Sequence, residues 1–143
     1  MKLIIMCGPS GSGKSTIAKQ IDGIVISTDD IREELLGDAN DQSNGDLIFN
    51  TAYYRLESFM GSDNVVIFDA TNLNSKSRKR AIELGKKYDA EIIAIVMKKT
   101  LEECIENQNK RDRKVPVEVI EKQFKKCVMP TKEEGFDWIM EVY

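Results

Sequence analysis

The chain has 143 residues, 41% of them hydrophobic and 31% charged, with a net charge of −3. That is enough for one domain with its own core, and the overall acidity argues against coating a long nucleic acid through bulk charge. There is no histidine, which removes Ser-His-Asp triads, Cys-His dyads and histidine metal ligands together and leaves carboxylate, lysine, tyrosine or cysteine as any general base.

The three cysteines, Cys7, Cys104 and Cys127, are far apart and odd in number, so neither a disulfide framework nor a zinc knot is suggested and a reducing cytoplasm fits. Charge is uneven along the chain. Residues 1–70 hold 5 Lys+Arg against 11 Asp+Glu, and residues 71–143 hold 16 against 13, so the second half is modestly basic and contact with phosphates at a nucleic-acid end stays open. The opening run MKLIIMCG is too short for a signal-peptide core or a membrane span and reads as a first strand. No membrane association is expected.

In chain order, KLIIMC (2–7) leads into GPSGSGKST. Gly8, Gly13, Lys14 and Ser15 fill the pattern G-x-x-x-x-G-K-[ST] between a strand and a helix, with Ser10, Gly11 and Ser12 between them. Glycines let such a loop curl so that its N–H groups face phosphate oxygens, and the helix that follows adds the positive end of its dipole. Lys14 is expected to reach the β- and γ-phosphates of a nucleotide, Ser15 to ligate Mg²⁺ and Thr16 to touch the α-phosphate. A glycine-rich turn matching by accident is the bland alternative.

GIVIS (23–27) reads as the second strand, followed by TDDIR. If a helix starts near Thr28, with Thr28 as its cap, Asp29 and Arg32 share a face while Asp30 points about 100° away. Asp29 then faces an incoming hydroxyl and Arg32 a nearby anion, unless both aspartates merely stabilise the helix N-terminus. The stretch GDANDQSNGD (37–46) reads as a surface connection. Ile48, Ala52, Leu56 and Phe59 then recur at helical spacing.

NVVIFDA (64–70) is the third strand, and Asp69 at its tip is a candidate acidic position beside the metal. Ser75 is a candidate cap for the next helix, whose KSRKR run is either a solvated face or a phosphate-contacting one. Ala81, Leu84 and Tyr88 give its apolar side. After EIIAIVM (91–97), NKRDRKVP crowds Lys110, Arg111, Arg113 and Lys114 at a helix end before Pro116, which suits the first position of another helix. A cationic hairpin there fits a lid closing over a phosphoryl donor, or a flexible basic loop. Val117, Ile120, Phe124 and Cys127 recur at helical spacing before a last strand in FDWIMEVY (136–143). Apolar strand runs alternating with helices imply a single α/β domain over 1–143 with ligands beyond the carboxyl ends of the strands.

Taken together, GPSGSGKST, STDDIR, NDQ, DATNLN and RDRKVP resemble the 5′-hydroxyl polynucleotide kinase family, the P-loop kinase module of phage and bacterial nucleic-acid end-healing enzymes. The resemblance implies a three-layer P-loop kinase fold: a central, mostly parallel sheet of four to five strands, flanking helices and a small helical lid. It implies ATP and Mg²⁺, and nucleic-acid 5′ ends as partner. Carried over, it makes Asp29 the general base, Arg32 the contact to the phosphate next to the acceptor hydroxyl, Lys14 and Ser15 cradle residues and Asp69 an active-site acid, with Arg111 or Arg113 the essential lid arginine. Two rivals stay open: a small-molecule kinase acting on a sugar, nucleoside or nucleotide-sugar hydroxyl, and a regulatory protein that binds ATP without transferring its phosphate.

Overall fold

The computed structural model describes residues 1–112 and 114–143; Arg113, one of the two candidate lid arginines, lies outside the described residues. Strand β1 (Lys2–Cys7) sits at the centre, with β3 (Val65–Asp69) and β4 (Glu91–Met97) on either side, β2 (Ile24–Ser27) beyond β3 and β5 (Trp138–Val142) beyond β4. The five-stranded order is β2-β3-β1-β4-β5 and every pair is parallel. β1 lacks polar alternation because both of its faces are covered. Leu3 and Ile5 enter one core with helices α2 (Thr28–Leu36), α3 (Gly45–Ser58) and α4 (Ser75–Lys87), whereas Ile4 and Met6 enter a second with α1 (Lys14–Gln20). Helices α5 (Leu101–Asn109) and α6 (Val117–Lys126) pack on each other.

Three helix starts lie one residue away from the sequence expectation. Ser27, not Thr28, caps α2: it is still extended, and its hydroxyl accepts the Asp30 N–H at 3.3 Å. Asn74, not Ser75, caps α4 through a reciprocal box with Ser77. Pro116 is the cap of α6 and not its first residue. In each case the capping residue keeps non-helical backbone angles, which only the residue before the first helical turn has.

The apolar spacing holds for Ile48, Ala52 and Leu56 in α3, but Phe59 is the partly exposed residue that ends that helix. In α6 only Ile120 is buried; Val117 and Cys127, the residue that ends the helix, are exposed, and the helix packs chiefly on α5. KSRKR is solvated at Lys76, Ser77, Lys79 and Arg80, as one of the two expectations has it, and Arg78 is the exception. Arg78 is fully buried, donates through Nε and Nη2 to the two carboxylate oxygens of Glu134 at 2.8 and 3.1 Å, and through Nη1 to the carbonyls of Asn72 and Val128. This bidentate clamp fastens α4 to the segments after β3 and α6.

Candidate active site

Register decides what meets at the carboxyl edge of the sheet. Asp69 is paired with Met6 on one side and with Ser27 on the other, so the tips of β1, β3 and β2 end level with one another. The loop after β1, the carboxylate of Asp69 and the first turn of α2 therefore share one edge. A Gly8 N–H to Thr71 carbonyl bond of 2.9 Å ties the first two together.

The loop has the curl that its glycines permit. Gly11 has φ +83°, and a Cβ there would lie 2.4 Å from the Cys104 carbonyl oxygen of α5; only glycine fits. Gly13 begins α1 with φ +90° and no side-chain cap, so the first N–H groups of the helix are left to a ligand. Lys14 is buried and its Nζ donates to the Pro9 carbonyl at 3.0 Å. Burial pulls its pKa below the usual lysine range, opposed by the carboxylates of Asp69 and Asp29. The Ser15 hydroxyl donates to Asp69 Oδ2 at 2.6 Å. Burial pushes Asp69 above its ordinary value, tempered by that hydrogen bond and by Lys14. Ser10, Gly11, Gly13, Lys14 and Ser15 line a cavity of about 350 Å³, while Gly8, Ser12 and Thr16 do not. Gly8 is committed to Thr71, Ser12 is buried and Thr16 is exposed.

Asp29 and Arg32 line the same cavity from α2, joined by a 3.2 Å ion pair. Arg32 is almost wholly buried, with its guanidinium 5.9 Å from the Phe49 ring centroid, whereas the Asp29 side chain is 46% exposed. Arg32 Nε is buried and has no hydrogen-bond partner among the described residues. Asp30 is exposed, as its angular offset on the helix predicts.

Arg111 and Lys114 reach the cavity from the α5–α6 connection. The 37–46 stretch is more than a surface connection: Asn40 and Gln42 also line the cavity, and Asn40 Nδ2 donates to the Lys114 carbonyl at 3.0 Å. Two amides seat the lid on the cradle and a third braces the lid itself. Asn107 Nδ2 donates to the Gly11 carbonyl at 2.8 Å, Gln123 Oε1 accepts the Ser10 N–H at 2.8 Å, and Gln108 Oε1 accepts the Val115 N–H at 3.1 Å. Sequence reasoning passed over all three, since a surface glutamine and one that anchors a loop 113 residues away look alike in a sequence.

No cluster of three or more His, Cys, Asp or Glu suited to a metal occurs among the described residues. A serine hydroxyl and one carboxylate nevertheless fit Mg²⁺, which keeps several waters and takes phosphate oxygens besides one or two protein ligands. Burial pushes the Cys7 thiol up to about 12 and the Cys104 thiol up to about 11, which disfavours their thiolates.

Sheet order, cradle and helical lid define a protein of the P-loop kinase fold. Residues 3–130 match the family model AAA_33, an AAA domain, and the chain belongs to that family. It is 28% identical over 144 residues to the L-seryl-tRNA(Sec) kinase of Methanococcus maripaludis, covering 94% of this chain and 56% of that protein. It is 30% identical over 165 residues to a candidate bifunctional polynucleotide kinase/RNA ligase of Autographa californica nuclear polyhedrosis virus, covering 99% of this chain and 22% of that protein. Among solved structures, the Pnkp1/Rnl/Hen1 RNA repair complex contains a chain with TM-score 0.76 and 26% identity, covering 87% of this chain and 43% of that one. The chain thus spans about half or less of the length of these relatives.

Proposed function

We propose that the chain is an ATP-dependent kinase that transfers the γ-phosphate to the 5′-hydroxyl end of DNA or RNA. The observation that carries this reading is the Asp29–Arg32 pair on the wall of the cavity that also holds Lys14, Ser15 and Asp69. A half-exposed carboxylate beside the cradle favours an enzyme that transfers phosphate over a protein that only binds nucleotide.

In this reading the cradle and Lys14 hold the triphosphate. Asp29 accepts the proton of the acceptor hydroxyl as its oxygen forms a bond to the γ-phosphorus, and the bond to the bridging oxygen breaks with its electron pair leaving on ADP. Ser15 and Asp69 would hold Mg²⁺, which offsets phosphate charge. Arg32, held rigid by burial, offers donors to the phosphate that follows the 5′ nucleoside, and Arg111 steadies charge on the transferring group. Arg113 is proposed as the alternative lid arginine. One of the two curated relatives supports this reading, its name describing a polynucleotide kinase, whereas the other is named for a seryl group carried on tRNA.

The test offers the protein ATP and Mg²⁺ with a 5′-hydroxyl oligonucleotide and, in parallel, a panel of sugars and nucleosides. Transfer to the oligonucleotide is expected. Transfer confined to the small alcohols would move the assignment to a small-molecule kinase, which a cavity of about 350 Å³ also accommodates.

A further inference from the structure

Gln108 is 2% exposed. It lies one turn beyond Cys104 on the same face of α5, and that face presses on the cradle, with the Cys104 carbonyl against Gly11 and Asn107 bonded to the Gly11 carbonyl. Gln108 Oε1 accepts the Val115 N–H at 3.1 Å. A backbone N–H only donates, so the amide orientation is fixed and Nε2 is the group left for something else. Nε2 is buried and has no hydrogen-bond partner among the described residues, yet Gln108 forms part of the cavity wall. A buried amide donor left unpaired is costly enough to be rare. The same cavity is lined by the cations Lys14, Arg32, Arg111 and Lys114 against the carboxylates Asp29 and Asp69, an excess of positive charge that suits an anion rich in oxygen as the missing acceptor.

We infer that Gln108 reads the polyphosphate of the donor nucleotide. Nε2 donates to a phosphate oxygen beyond the α-phosphate while Oε1 keeps hold of the lid backbone at Val115, so that a single side chain joins the occupant of the cradle to the lid. This rests on the kinase reading above and adds a specificity-determining residue to it. It also gives a reason for a glutamine at this place: one end accepts, the other donates, and neither end carries a charge that would oppose phosphate.

The experiment is calorimetric titration of ATP, ADP and AMP into the wild type, Gln108→Glu and Gln108→Met, with melting of each nucleotide-free protein. Gln108→Glu keeps an oxygen for Val115 and loses the donor, whereas Gln108→Met keeps the length and loses both polar ends. ATP affinity is expected to fall about 10-fold or more in both variants, with AMP affinity within about twofold of wild type. Gln108→Glu binding ATP as the wild type does, or a uniform loss for all three nucleotides together with a lowered melting point, would overturn the inference and leave Gln108 a lid strut. Failure of the wild type itself to prefer ATP over AMP would instead bring down the kinase reading, and the inference with it.

Discussion

Asp29 and Asp30 are adjacent acids with different surroundings: one lines the cavity and pairs with Arg32, the other is exposed and lends only its N–H to the Ser27 cap. Asp29→Asn is expected to lower phosphoryl transfer by more than about 100-fold with ATP binding retained, and Asp30→Asn to do far less. Equal losses, measured as initial rates alongside nucleotide titrations, would mean that both carboxylates merely stabilise the helix. Asp69 carries a second prediction. Its pKa is raised in the folded protein, so its contribution to stability is fully present below the unfolded value of 3.8 and is lost as pH rises through the folded value. Asp69→Asn, which is never charged, should therefore gain stability relative to wild type between pH 3 and pH 7 while losing Mg²⁺-dependent transfer. Denaturant melts across that window check the sign. At this scale the sequence was legible where a residue type has one use. Lys14 and Ser15 in their spacing, and Asp29 three residues before Arg32, follow from phosphate chemistry and helix geometry. Asn107, Gln108 and Gln123 do not, because an amide's role depends on what stands opposite: for Asn107 and Gln123 that is a loop about a hundred residues away, and for Gln108 the Val115 N–H of the lid.

Among the elements, α4 shows how a solvated charge run can hold one inward exception. From KSRKR one expects water or phosphate, yet Arg78 turns inward and its clamp on Glu134 holds the segments behind β3 and α6. Periodicity alone would not place a guanidinium in the interior; the carboxylate that permits it is 56 residues further on. Desolvation pushes Glu134 up, but the hydrogen bonds from Arg78 and Thr131 outweigh it and hold the carboxyl below its usual range. The resulting stability is present above pH 4.5 and is lost as pH falls through the lower folded value, opposite in sign to Asp69. Glu134→Ala leaves Arg78 buried without its partner and is expected to cost about 3–5 kcal/mol at pH 7, with the deficit shrinking in acid. A deficit that does not change with pH would show that packing, not charge, is what the substitution removes. Helix α6 is the reverse case. Its apolar spacing promised a buried side, but packed chiefly on α5 it buries Ile120 alone and turns Gln123 to the cradle.

For the whole molecule, the parallel register brings residues from distant parts of the sequence to one edge, and the strand order β2-β3-β1-β4-β5 puts Asp69 between the cradle and α2. The alternation of apolar runs with helices was enough to foresee five strands and layered helices; the order of the strands was not, since it is set by which helices cover which face. The relatives extend well beyond the matched region, so the module's own chemistry is best measured on this chain directly. The most direct measurement is label transfer from γ-labelled ATP to a 5′-hydroxyl oligonucleotide with Mg²⁺, run on wild type and Asp29→Asn with ATP affinity determined for each. Labelled oligonucleotide from the wild type, and an Asp29→Asn protein that binds ATP as tightly but transfers at under about 1% of that rate, is the predicted result. A wild type that binds ATP and labels no oligonucleotide, or an Asp29→Asn protein that transfers as fast, would contradict it.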